Sequence, residues 1–228
     1  IDILTGKGIK EIILIAQDIT AYGQDIYGEP SLVKLIKNIM NNRDFQWLRL
    51  MYTYPENVTD DLIQIIKEEE RICNYLDLPV QHSSNRIRKL MNRRSKRLDL
   101  IRLIDNIRNE IPDITIRTSL IVGFPGEGEK EFSDLRSFVE EVCFDRLGVF
   151  KYSREENTAA AKYRNQINEK VKNKRYEEIM EIQQRISYNK NKTMIGRDIQ
   201  IIIDEINNNM AFARSQYDAP EIDNIIYL

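Results

Sequence analysis

Five short apolar runs alternate along the chain with segments whose apolar residues recur every three or four positions. The runs are Glu11–Ala16, Trp47–Tyr52, Tyr75–Val80, Ile114–Val122 and Leu147–Lys151. The first is continuous over Ile12–Ala16, which suits a strand covered on both faces, as in a parallel sheet. Helical patterns lie between them. Leu32, Leu35, Ile36 and Ile39 form a stripe behind Pro30, which suits a first helical position. Leu62, Ile63 and Ile66 follow a Thr59 cap, with Asp60 and Asp61 in the first turn. Leu100, Leu103, Ile104 and Ile107 precede the breaker Pro112, and Phe132, Leu135, Phe138, Val139 and Val142 form the last short stripe. A long, highly charged helix is expected over about Asn168–Lys192. After Gly196 the pattern turns strand-like, over Asp198–Ile203, Met210–Ser215 and Asn224–Leu228, with a turn at Asn207–Asn209. The simplest division is an α/β domain over residues 1–190 and a small β-rich domain over 191–228.

In such α/β folds ligands sit at the carboxyl ends of the strands. Here those ends carry Gln17-Asp18, Tyr54-Pro55-Glu56, Gln81-His82, Gly123-Phe124-Pro125-Gly126-Glu127 and Tyr152-Ser153. The set is rich in aromatic, amide and backbone groups and poor in nucleophiles. It suits an adenosine-like ligand, with apolar surface for the base and amides for the ribose. Gly123 and Gly126 either let backbone approach a ligand or only shape a tight turn. His82, the one histidine, reads equally as a hydrogen-bonded strand end or a ligand contact. Asp18 and Glu56 read as structural or ribose acceptors more readily than as catalytic acids. Arg117 lies in a strand expected to be buried, so it needs a carboxylate or an anionic ligand.

The bulk numbers narrow the picture. Two cysteines among 228 residues, Cys73 and Cys143, make neither a disulfide framework nor a metal knuckle. No apolar run is long enough to cross a membrane, and the expectation is a cytoplasmic protein with no membrane partner. Net charge is −2, so global charge selects no polyanion. One local exception is a run of seven cations, Arg86, Arg88, Lys89, Arg93, Arg94, Lys96 and Arg97, with no acid among residues 86–97. It reads as a solvated helix face or as an RNA contact. The chain begins at Ile1 and ends in the apolar Ile225-Ile226-Tyr227-Leu228, which raises the expectation of a piece of a longer protein.

Taken together, several motifs resemble the radical-SAM methylthiotransferases. They are Gln17-Asp18-Ile19-Thr20, Leu50–Glu56, Leu78-Pro79-Val80-Gln81-His82, Met91-Asn92-Arg93-Arg94, Ile121–Glu127 and Phe144–Ser153, in order along the chain. The resemblance implies a partial (β/α) barrel, here without its first strand, followed by a truncated small β-barrel of TRAM type. The truncated end is expected to be frayed. Two families share this plan. One modifies adenosine in tRNA; the other, RimO, methylthiolates an aspartate of a small-subunit ribosomal protein. Segments Arg214–Asp223 and Arg146–Ser153 resemble the RimO form. The family implies S-adenosylmethionine, cleaved reductively at a cluster so that the resulting radical takes hydrogen from the substrate carbon before sulfur is inserted. It also implies two [4Fe–4S] clusters, whose cysteine motifs are absent from this sequence. By motif position Gln17 and Asp18 would contact the methionine amino group, and Gln81 the ribose or carboxylate. Gly123, Phe124 and Tyr152 would meet adenine, and Arg117 would partner a carboxylate. RNA contact is expected through residues 86–97 and the TRAM-like end. A non-catalytic RNA- or ribosome-binding module is the reading from another class.

Overall fold

The computed structural model describes residues 1–42 and 44–228. Five parallel strands stand in sequence order: β1 (Glu11–Leu14), β2 (Trp47–Leu50), β3 (Ile72–Asp77), β4 (Thr115–Val122) and β5 (Arg146–Lys151). The helices preceding or joining them are α1 (Asp2–Thr5), α2 (Gln24–Tyr27), α3 (Leu32–Ile39), α4 (Asp60–Glu68), α5 (Asn85–Leu90), α6 (Arg97–Glu110) and α7 (Glu129–Val142). After β5 come α8 (Glu169–Lys192) and an antiparallel sheet of β6 (Ile201–Asn207), β7 (Met210–Ser215) and β8 (Ile226–Tyr227). The expected parallel α/β arrangement with a small terminal β-sheet is therefore present.

Most strand ends differ from their apolar runs by a residue or two, and the third and sixth strands are shifted along the chain. The third begins at Ile72, before the expected Tyr75, and stops at Asp77. Pro79 has no N–H to give a ladder, so regular pairing ends there. The chain stays extended: Leu78 N–H donates to Arg117 O at 2.8 Å, and Gln81 bridges to Leu120. The sixth runs to Asn207 rather than Ile203 because its hairpin carries it on. Asn208 and Asn209 both take positive φ, 47° and 65°, which matches the twist of a two-residue hairpin turn.

The chain forms two compact units. The first comprises Ile1–Asp77, Ile107–Thr115 and Gly196–Leu228; the second comprises Leu78–Asn106 and Ile116–Ile195. In the first, Thr59 Oγ1 accepts from Leu62 N–H and starts α4 as the sequence predicts. Leu48, Leu50 and Leu76 are completely buried. Each contributes roughly 1.5–3 kcal/mol through burial. Trp47, Met51, Cys73, Tyr75 and Ala219 form one apolar cluster, with Ile13 and Ile202 against it. The terminal sheet thus shares a core with the first strands. Compactness groups it with them, whereas the division near residue 190 follows composition.

A buried ionic network fastens that sheet. Arg49, fully buried, donates to Glu11 Oε1 at 2.7 Å and to Gln216 O at 2.9 Å, and its guanidinium lies over the Tyr75 ring. Arg214 donates to Glu11 Oε2 at 2.7 Å and to both Asp204 oxygens. Burial works against the Arg214 charge, but the hydrogen bonds to Asp204 and Glu11 outweigh it and raise its pKa. Gln216 Oε1 accepts from Asn74 N–H, where the β2–β3 register is irregular. These ties join β6 and the segment around Gln216 to the first strands.

The second unit holds β4 and β5 in register, from Arg117 opposite Arg146 to Val122 opposite Lys151. Phe132, Leu135, Phe138, Val139 and Val142 of α7 are buried, the stripe that the sequence predicts. Helix α8 buries Lys172, Arg175, Ile179, Gln183 and Ile186, a stripe at three-and-four spacing that includes two cations. Among the described residues no helix is long and apolar enough to cross a membrane.

Burial pushes the Cys73 thiol up to about 12, against the partly offsetting Arg49 charge. The neutral thiol is therefore the folded form. Its contribution to stability is full below the ordinary thiol value and declines as pH rises toward 12. Cys73 is expected to resist iodoacetamide at pH ~9 in the folded chain and to react once urea unfolds it. Mass mapping of the alkylated peptides checks this.

Candidate functional site

The Gly123–Glu127 turn is built around one carboxylate. Glu127 is 1% exposed. Its Oε2 accepts from Gly123 N–H at 2.7 Å and Phe124 N–H at 3.3 Å, which closes the turn onto the start of α7. A buried carboxylate needs a counter-charge. Arg175 of α8 supplies it, donating to Glu127 Oε1 at 3.1 Å and to Glu127 O at 2.9 Å. The same guanidinium hydrogen-bonds Glu129 and holds that carboxyl below its usual range.

His82 completes this cluster. It is fully buried, and its Nδ1 accepts from Ser84 N–H at 2.9 Å. A neutral ring so held carries its proton on Nε2, which lies 3.6 Å from Glu127 Oε2. The geometry is that of the structural reading of His82: a buried, hydrogen-bonded strand end beside the key carboxylate.

One turn earlier on α8, Lys172 lies against the same turn. Its Nζ donates to Tyr152 O at 2.8 Å and to Glu169, whose carboxyl it holds below the usual range. A Cβ on Gly123 would stand 2.3 Å from Lys172 Cγ, and Gly123 has φ +73°. Both facts require glycine. Phe124 packs edge-on against Tyr152, with centroids 5.2 Å apart, and against Tyr163 at 6.2 Å.

The second unit thus brings together Gln81, Gly123, Phe124 and Tyr152 of the expected site. Gln81 is half-buried with φ +69°, an uncommon conformation for a side-chain residue. The Phe124 ring is only 5% exposed, so the half-buried Tyr152 and Gln81 are the more open groups. Tyr152 N–H donates to Val122 O and its carbonyl accepts from Lys172, so its backbone is largely engaged. Arg117 is half-buried, not buried as its strand position suggested. Its backbone pairs with Leu78 and its guanidinium lies near Gly148.

Gln17 and Asp18 belong to the first unit, just after β1. Gln17 is exposed. Asp18 Oδ1 caps a short helical turn by accepting from Thr20 N–H and Thr20 Oγ1, and Oδ2 accepts from Asn57 at 3.1 Å. Nearby, Asp77 Oδ2 accepts from Tyr52 N–H at 3.1 Å, and Tyr52 has φ +59°.

A model of the radical SAM superfamily matches residues 1–139, and a TRAM domain model matches residues 195–228. The chain belongs to the radical SAM superfamily. It is 49% identical over 226 residues to a Clostridioides difficile protein named ribosomal protein uS12 methylthiotransferase RimO, covering 99% of this chain and 51% of that one. A Geobacter sulfurreducens protein of the same name is 49% identical over 228 residues, with 99% and 51% covered. The chain therefore spans about half the length of these relatives. Among solved structures it resembles Escherichia coli coproporphyrinogen III oxidase, HemN, a radical SAM enzyme. The TM-score is 0.52 at 23% identity, over 72% of this chain and 38% of that one.

Radical SAM chemistry in general uses S-adenosylmethionine and an iron–sulfur cluster. The residues present do not fit the cluster. Among the described residues no group of three or more His, Cys, Asp or Glu could hold a metal, and Cys73 is a buried neutral thiol. They do fit a nucleoside. Tyr152, half-buried and packed edge-on against Phe124, has a hydroxyl without a hydrogen-bond partner.

Two outcomes are expected. Gly123→Ala destabilises the chain by about 2 kcal/mol or more in urea unfolding, and adding Lys172→Ala recovers part of the loss as the clash is relieved. Anaerobic reconstitution of this chain alone with iron and sulfide yields no iron–sulfur absorbance.

Proposed function

We propose that this chain is the barrel and TRAM portion of a RimO-type methylthiotransferase. Such an enzyme modifies an aspartate side chain of a small-subunit ribosomal protein, and a ribosomal substrate puts its work in the cytoplasm. The single observation that carries this reading is the similarity of about half of all positions, over nearly the whole chain, to relatives named for that activity.

S-adenosylmethionine, when bound, supplies the radical chemistry and the methyl group of the transferred unit. This chain's residues hold and orient it. Gln81 offers an amide to the ribose or carboxylate, and Tyr152 offers ring surface and an unpartnered hydroxyl to the nucleoside. Gly123 and Phe124 shape the backbone beside adenine, fixed by Glu127, Arg175 and Lys172. By motif position Gln17 and Asp18 are assigned to the methionine amino group and Arg117 to a carboxylate. The two [4Fe–4S] clusters of the family take their cysteines from segments outside this sequence. The TRAM match supports contact with RNA as part of substrate docking.

The test is an assay of the full-length protein carrying this chain, reconstituted with iron, sulfide and S-adenosylmethionine. It is offered small ribosomal subunits and tRNA separately. A methylthio mass on the ribosomal protein supports the reading. Modification of tRNA adenosine instead assigns the chain to the tRNA-modifying methylthiotransferases and overturns it.

A further inference from the structure

The fold separates the basic stretch of residues 86–97 into two roles. Arg88, 1% exposed, donates to the carbonyls of Val80, His82 and Ser95 and to Ser95 Oγ. Arg86 pairs with Glu131 and donates to Gly126 O. Arg97 pairs with Glu141, donates to Asp134 O and lies over the Phe138 ring. These three serve the fold. Lys89, Arg94 and Lys96 are exposed instead.

A second basic group joins them from a segment far along the chain. Lys162 and Arg164 are exposed and flank Tyr163, whose hydroxyl donates to Leu90 O at 3.5 Å, next to Lys89. The same loop is held a second time, where Gly126 N–H donates to Asn165 O at 2.8 Å and Gly126 O accepts from Arg86. The first contact lays the loop after β5 against the end of α5, and the second ties it to the Gly126 turn that Arg86 of α5 also holds, so Lys162 and Arg164 are brought to the side of the molecule that carries Lys89 and the segment after it. Among the described residues none of the five has an ion-pair partner. The acids on the flanks are in use: Asp99 accepts from Lys96 N–H, and Glu155 accepts from Ser153 Oγ.

We propose that this surface docks the phosphate backbone of RNA. Like charges repel, and exposed cations that form no ion pair of their own favour a polyanion that replaces their mobile counterions. The chain as a whole carries −2, so the cluster is local and not a by-product of a basic protein. Cations set on two crossing segments can follow a backbone whose charges recur along a line, and each neutralised phosphate releases counterions. The choice of RNA over an acidic peptide rests on the ribosomal reading above, because a protein substrate in the small subunit is surrounded by RNA.

The experiment titrates this chain into a short fluorescein-labelled RNA hairpin and reads anisotropy across a salt series. Binding is expected, with log affinity falling linearly with log salt. The triple variant Lys89→Glu, Arg94→Glu, Lys96→Glu should weaken binding about tenfold or more and lower the salt slope by about three. The pair Lys162→Glu, Arg164→Glu should lower the slope by about two. A charge-matched control, Lys170→Glu with Lys174→Glu on α8, should change neither quantity. All these positions are exposed, and unchanged melting temperatures verify the fold.

No binding at low salt overturns the proposal, as does binding that the five substitutions leave intact. Polyglutamate binding that is tighter than RNA and lost in the same variants assigns the surface to an acidic protein and also overturns it. The measurement needs no cluster and no methyl transfer. A failed transfer assay with intact RNA binding therefore sinks only the catalytic reading.

Discussion

One buried carboxylate organises the second unit. Glu127 spends one oxygen on the backbone N–H groups of Gly123 and Phe124 and the other on Arg175. Desolvating a charge is costly, and removing either partner of such a pair typically costs about 3–5 kcal/mol. The turn after β4, the first residues of α7 and the first turns of α8 are consequently fixed as a set. Lys172 extends the same clamp to the end of β5 through the Tyr152 carbonyl. The geometry of the strand-end edge in this unit is thus governed from α8, an element with no place in the sheet.

The five strands and most connecting helices were legible because their apolar spacing is regular and their caps are conventional. Thr59 caps α4 as its position suggested, and the α7 stripe is buried residue for residue. The strand-end residues of the second unit converge for the same reason: period and turn chemistry fix where each strand stops. The clamp was not legible. Lys172 and Arg175 look like two more charges on a charged helix. The available signal was subtler: they continue, at three-and-four spacing, the stripe completed by Ile179, Gln183 and Ile186. A cation inside an apolar stripe implies a buried anion, and Glu127 stands in the sequence only as the end of the Gly/Pro turn motif. Likewise Arg88 sits in a basic run by sequence but inside the fold by geometry, where its guanidinium donates to the carbonyls of Val80, His82 and Ser95.

The first unit shows why composition and compactness can divide a chain differently. Residues 195–228 match a TRAM domain, with its own pattern and its own sheet. Yet Ala219 and Ile202 complete the cluster around Trp47 and Tyr75, and Arg214 shares Glu11 with Arg49. A charge pattern read locally sees Arg214 and Asp204 as hairpin neighbours. The third member, Glu11, is far away in sequence, and only folding reveals it.

That shared cluster sets an order on biosynthesis. A ribosome delivers β1, β2 and β3 before residues 202–219, so their apolar face lacks Ile202 and Ala219 until that later stretch has left the exit tunnel. The second unit, nearly continuous in sequence, has all its parts by Ile195 and can consolidate sooner. The early strands must therefore wait, exposed Trp47 and Tyr75 included, and that interval is when the nascent chain most needs a chaperone's cover.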